Sequence, residues 1–123
     1  MNAYTISKLA EDAGVSIYVV RDYVMRGLLH PARRTKSGYS IFDASALARL
    51  RFVRVAFEAG IGLDALTRLY HALDGGGDDA VACLRRLRLQ IAARREVLMA
   101  VDRQLAKMAF AARPHAGAEN HNA

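Results

Sequence analysis

The sequence predicts a mostly helical fold with a small β wing, a winged helix-turn-helix followed by one long C-terminal helix. Three observations predict it. Two short helices, each with its own hydroxyl cap, are separated only by Gly14 and Val15. A basic, turn-rich segment follows them at once, from Pro31 to Tyr39. Finally, an apolar period in alternating steps of three and four runs from Leu84 to Met108.

Thr5 is placed to cap a first helix in which Ile6, Leu9, Ala10 and Ala13 recur on one stripe. Gly14 ends it. Ser16 caps the second helix, whose Ile17, Val20, Val24 and Leu28 face the first, leaving Tyr18, Arg21, Asp22 and Met25 on a different face. That second face is free to enter a major groove. On an isolated helix Arg21 and Asp22 would read as ordinary solvated residues, so the next segment decides their meaning.

After Gly27 and the Leu28-Leu29 pair, Pro31 blocks further helix. Arg33, Arg34 and Lys36 surround a Thr-Lys-Ser-Gly turn between two short strands, of which 39–42 is the clearer. A hairpin bearing three cations directly after a helix-turn-helix is suited to touching phosphate beside the groove.

Asp43 caps a third helix with an apolar stripe of Leu47, Leu50, Val53 and Phe57, while Arg51, Arg54 and Glu58 step along another face. It ends at Gly60-Ile61-Gly62. A fourth helix carries Leu63, Leu66, Leu69, Tyr70 and Leu73, and the glycine run 75–77 reads as a hinge. The expected organisation is therefore a DNA-binding domain over 1–74, a linker and pairing helix over 75–110, and a tail without apolar period over 111–123.

The heptad seam comprises Leu84, Leu87, Ile91, Arg94, Leu98, Val101, Leu105 and Met108. At 1.5 Å per residue it spans roughly 36 Å, too long a stripe for a compact N-terminal part to cover. A second copy of the helix would cover it; the alternative is a helix folded back on its own domain. Arg94 on the seam is costly unless it snorkels or meets Glu96 or Asp102 of the partner subunit, where it could also set the register.

Composition narrows the partner. The chain has 123 residues and a formal charge of +6, and its 53% hydrophobic content is rich in alanine, which favours helices more than it fills a core. Burial against a partner chain is the natural supplement. Nine basic and five acidic side chains lie before Leu63, against nine and seven from there on, so the N-terminal half carries most of the excess and a polyanionic partner is expected for it. A single cysteine, Cys83, excludes an internal disulfide and the multi-cysteine zinc spacings. With no apolar run resembling a signal peptide or a span, a cytoplasmic protein without a membrane partner is expected. The scattered histidines His30, His71, His115 and His121 offer no nucleophile–base pairing, so no catalytic residue, no cofactor and no enzyme activity is expected.

Several of these segments together resemble the MerR family of bacterial transcription regulators: YTISKLAEDAGVS, R-x-Y at Arg21 to Tyr23, RGLL at 26–29, Pro31 to Arg34, the Gly38-Tyr39 pair, and AFEAGIGLDAL entering the fourth helix. The resemblance covers about residues 4–108. It implies a long C-terminal helix that pairs antiparallel with its copy, and a homodimer on double-stranded promoter DNA. Carried over position by position, it implies DNA contacts at Arg21 and Tyr23, wing contacts at Lys36 and Tyr39, and a recognition-helix cap at Ser16. The exposed face adds Tyr18 and Asp22 as base-contact candidates, and charge adds Arg33, Arg34 and Arg54 as phosphate candidates.

Two departures from the family pattern stand out. Family activators often carry an aromatic residue where this chain has Asp22, an acid that can accept from cytosine N4 but repels phosphate. Mercury-sensing members hold the metal with three cysteines, and only Cys83 lies near one of those positions. No metal site is expected. Within the family, VRDY, RGLL and FVRVAFEAGIGLDAL are most similar to the secondary regulators of mercury-resistance operons, which implies a repressor or co-regulator at such a promoter. The alternatives are an interaction module that pairs with a MerR-type activator and binds DNA weakly by itself, and a metal-responsive regulator using Cys83.

Overall fold

A computed structural model of the chain describes residues 3–114. The elements run α1 (Ile6–Ala13), α2 (Ile17–Met25), β1 (Arg33–Arg34), β2 (Ser40–Ile41), α3 (Ala44–Glu58), α4 (Leu63–Gly75) and α5 (Asp78–Ala112). Two compact units divide within α5, Met1–Cys83 and Leu84–Ala123. The division lies beyond the glycine run that marks the expected boundary at 74. The first turn of α5 contributes a buried Ala80, which is why the break falls later than the hinge.

Capping chemistry sets the helix starts in the first unit. Thr5, Ser16 and Asp43 each accept a backbone N–H three residues on, from Lys8, Val19 and Ala46. α1 stops because Gly14 takes φ 71°, a left-handed conformation that lets its N–H reach back to the carbonyls of Ala10 and Glu11. α1 and α2 then pack on each other and α1 also meets α3.

The hairpin has the expected antiparallel pairing, with Arg33 opposite Ile41 and Arg34 opposite Ser40. An isolated bridge between Tyr4 and Phe42, with both N–H···O distances 2.8 Å, ties the start of the chain to the end of the hairpin. That pairing joins segments far apart in sequence and has no local signature.

The core of the first unit is formed by Leu9, Val20, Tyr23, Leu28, Leu29, Phe42, Leu50, Val53 and Leu66, all essentially inaccessible. Two of the expected stripe members are exposed, Phe57 by 44% and Leu73 by 40%. α3 instead turns the small Ala46 and Ala56 inward beside Leu50 and Val53, allowing close helix approach.

The second unit is the remainder of α5. Its heptad residues are open in a single chain, with Leu84, Ile91, Leu98, Val101, Leu105 and Met108 all between 42% and 62% exposed. The helix continues through Ala111 and Ala112, two residues into the segment expected as tail. His115, His121 and the rest of that tail lie outside the described residues.

Candidate nucleic-acid interface

With about 100° between successive residues of a helix, Tyr18, Arg21, Asp22 and Met25 of α2 share one side. All four are exposed, Tyr18 by 80% and Met25 by 86%. Val20 and Tyr23 are the buried residues of the same helix, on the opposite side. A short helix with a large aromatic, a cation, an acid and a flexible thioether outward has the donors, acceptors and apolar edges that base readout needs. Ser16 serves as the cap at the near end, with its Oγ 3.2 Å from the Val19 N–H.

Tyr23 is placed differently from the other expected contact residues. It is 2% exposed, so its ring belongs to the core and has no face to offer a base or a sugar. The helical wheel carries the signal: Tyr23 is about 60° from Val20, well within the inward arc. Its hydroxyl lies 3.5 Å from the Arg54 guanidinium, at the outer limit of a hydrogen bond. Arg54 is itself drawn in, with 30% of its side chain exposed, an ion pair to Glu58 at 3.8 Å and its guanidinium 5.7 Å from the Phe57 ring centre. In the free chain it therefore lies along the helix surface.

Asp22 is also engaged. Arg26 Nε donates to its Oδ2 at 2.8 Å, and a terminal nitrogen of Arg26 stands 3.6 Å from Asp64 at the start of α4. The Asp22 carboxylate holds the Arg26 guanidinium pKa above its usual range through that hydrogen bond and the opposed charge, with Asp64 adding to it. The i,i+4 order, acid first and arginine second, is visible in the sequence and is the favourable one on a helix. Arg26 is not among the residues that exposure or resemblance marks in the sequence, but this spacing marks it.

The turn after α2 is fastened to α4 through the backbone as well. His71 Nε2 lies 3.1 Å from the Arg26 carbonyl; a carbonyl can only accept, so Nε2 carries the proton. Lower down, Arg49 of α3 joins Asp74 of α4 and donates to the Leu28 carbonyl at 3.2 Å, while His30 Nε2 lies 3.3 Å from Asp74. These contacts set the stand of the recognition helix on its support.

In the wing, Arg33, Arg34 and Lys36 are all exposed and Tyr39 is 70% exposed. Arg34 bonds across the turn to the Gly38 carbonyl at 3.2 Å, and Thr35 Oγ1 accepts the Tyr39 N–H at 3.0 Å. The turn is thus braced from within while its cations face solvent. Cys83 is a free, half-exposed thiol, and among the described residues no group of three His, Cys, Asp or Glu side chains could hold a metal ion. No helix among them is long and apolar enough to cross a membrane.

The sequence pattern of the MerR HTH family regulatory proteins matches residues 4–73, from the Tyr4 bridge into the last turn of α4. The chain belongs to the MerR family. Over 117 residues it is 57% identical to the HTH-type transcriptional regulator MerD of Acinetobacter calcoaceticus, covering 94% of this chain and 97% of that protein. It is 56% identical to MerD of Pseudomonas aeruginosa over the same shares. Among solved structures, a MerR family regulator from Listeria monocytogenes aligns with TM-score 0.75 and 28% identity, covering 85% of this chain and 83% of that one. HiNmlR, a MerR family regulator lacking the sensor domain and bound to promoter DNA, aligns with TM-score 0.68 and 26% identity, covering 85% and 79%. This MerR-family chain is a MerD-like transcription regulator, and such relatives set it apart from enzymes.

Proposed function

We propose that the chain is a cytoplasmic, homodimeric, sequence-specific reader of double-stranded promoter DNA that acts as repressor or co-regulator at a mercury-resistance operon. The observation that carries this reading is the outward face of α2, where Tyr18, Arg21, Asp22 and Met25 stand exposed on a helix whose other side is locked into the core. The MerD relatives, and a MerR-family structure bound to promoter DNA, support it. In this reading Arg21 with the wing cations Arg33, Arg34 and Lys36 neutralises phosphate, which makes affinity fall steeply with salt. Base choice comes from the α2 face, and the open heptad residues of α5 are covered by the same helix of a second copy.

Footprinting on a mercury-resistance promoter, with and without a MerR-type activator and at two salt concentrations, tests it. Protection by the chain alone, weakened by salt and abolished by Arg21→Ala with the helical content unchanged, is the expected result. Unchanged binding by Arg21→Ala overturns the assignment of the α2 face.

A second reading is favoured by the acid on the recognition helix: the α5 seam pairs with the helix of a MerR-type activator, and DNA affinity is weak without it. Protection only in the activator's presence, with co-purification of the two proteins in the absence of DNA, would establish that arrangement in place of the first. The Asp22–Arg26 pair weakens its motive, because the acid's charge is largely offset.

A further inference from the structure

An acid on the DNA-facing side of a recognition helix is a liability unless something offsets it. On α2 the offset is specific. Arg26 Nε takes Oδ2 of Asp22 at 2.8 Å and leaves Oδ1 without a hydrogen bond among the described residues. The Asp22 side chain is 50% exposed. Arg26 is itself fixed from α4, its carbonyl by His71 at 3.1 Å and its guanidinium loosely by Asp64 at 3.6 Å.

We propose that Asp22 is a specificity-determining residue that accepts the exocyclic amino group of a cytosine in the major groove, and that Arg26 is the positioning residue that makes this possible. The inference rests on the DNA-reading function proposed above. A carboxylate is acceptor-only. In the major groove, amino donors belong to cytosine N4 and adenine N6, but adenine sets the N7 acceptor beside its amino group, which a carboxylate cannot satisfy; cytosine is left. Arg26 does two things for this contact. It offsets the charge that phosphates would repel, and it engages one carboxylate oxygen, leaving the other without a hydrogen bond among the described residues. An ordinary exposed i,i+4 ion pair contributes little to anything measurable. The clamp differs in predicting a base preference.

The test is selection of bound sequences from randomised duplexes, followed by titration, for the wild-type dimer, Asp22→Asn, Arg26→Ala and the double variant, with circular dichroism confirming that each is folded. Wild type is expected to select cytosine at one position of each half-site. Asp22→Asn is expected to lose that preference by roughly tenfold and to gain adenine, since an amide can pair with N6 and N7 together. Arg26→Ala is expected to weaken binding to all duplexes, and the double variant to recover most of that loss because asparagine carries no charge to repel phosphate. An unchanged base preference in Asp22→Asn, or losses that simply multiply in the double variant, overturns the inference while leaving the DNA-reading function intact. Failure of the wild-type protein to bind any duplex overturns both.

Discussion

Arg49 of α3 holds Asp74 of α4 through both terminal guanidinium nitrogens, at 3.0 and 2.8 Å, and lays the same group 4.2 Å from the centre of the Tyr70 ring. Two-point geometry of this kind is stronger than a single contact. It joins the helix after the wing to the helix that supports α2. The Tyr70 ring in turn meets Phe52 edge-on at 6.4 Å.

The pair's dependence on pH follows from its sign. The hydrogen bond from Arg49 pulls the Asp74 carboxyl below its ordinary range, against the opposing push of burial, with His30 adding in the same direction. A group with a depressed folded pKa stabilises the protein above its unfolded pKa and loses that effect as pH falls through the folded one. Asp74→Asn is therefore expected to be less stable than wild type at pH 7 by about 1 kcal/mol, a figure kept small because the pair is partly exposed. The difference should begin to shrink as the pH falls below the ordinary aspartate value of about 4 and go on shrinking towards the depressed pKa of the folded protein. Paired urea melts across this range measure it.

Gly27 has φ 80°, and a Cβ there would come within 2.6 Å of His71 Nε2. Gly27→Ala meets two penalties at once, a left-handed backbone and displacement of the imidazole that bonds the Arg26 carbonyl. A loss of roughly 1–3 kcal/mol is expected in denaturant unfolding. Gly14→Ala, with φ 71° but open space around it, should cost less.

Tyr23 can be assigned by comparing two substitutions. Tyr23→Ala empties a core position and should destabilise the chain by roughly 3–5 kcal/mol. Tyr23→Phe forfeits only the 3.5 Å contact with Arg54 and should stay within about 1 kcal/mol of wild type. Gel shifts on the folded Phe variant then separate packing from DNA contact; near wild-type binding is the outcome that the buried ring predicts.

For the α5 seam, Leu98→Asp introduces a charge into the middle of the exposed apolar row. If two copies cover that row, the substitution converts dimer to monomer in sedimentation at micromolar concentration, while the first unit keeps its fold. A persistent dimer would move the interface away from the seam.

Much of this was legible in the chain. The caps Thr5, Ser16 and Asp43, the stop at Gly14, the hairpin around 35–38 and the heptads of α5 are local: each depends on residues within one turn of one another, and the chemistry that specifies them is written in adjacent letters. The exposed quartet of α2 followed from helical spacing in the same way. Tyr23 differs: the resemblance implies a DNA contact there, while its place on the wheel, beside Val20, points inward, as its burial shows. The glycine run at 75–77 marks a bend in the chain; how far packing continues past it, to the buried Ala80, is a tertiary property.

What the sequence alone determined is the recognition helix, its cap, its cationic wing and the long helix that follows, because backbone propensity and side-chain period act over short range. The tertiary structure decided which of those side chains remain available. In the folded chain Tyr23 is buried, Arg54 lies against Glu58 and Phe57 of its own helix, and the bond from Arg26 makes Asp22 half of a pair. Those outcomes depend on contacts such as Arg49 with Asp74 and His71 with the Arg26 carbonyl, between residues 25 and 45 positions apart, whose distances only the folded chain sets.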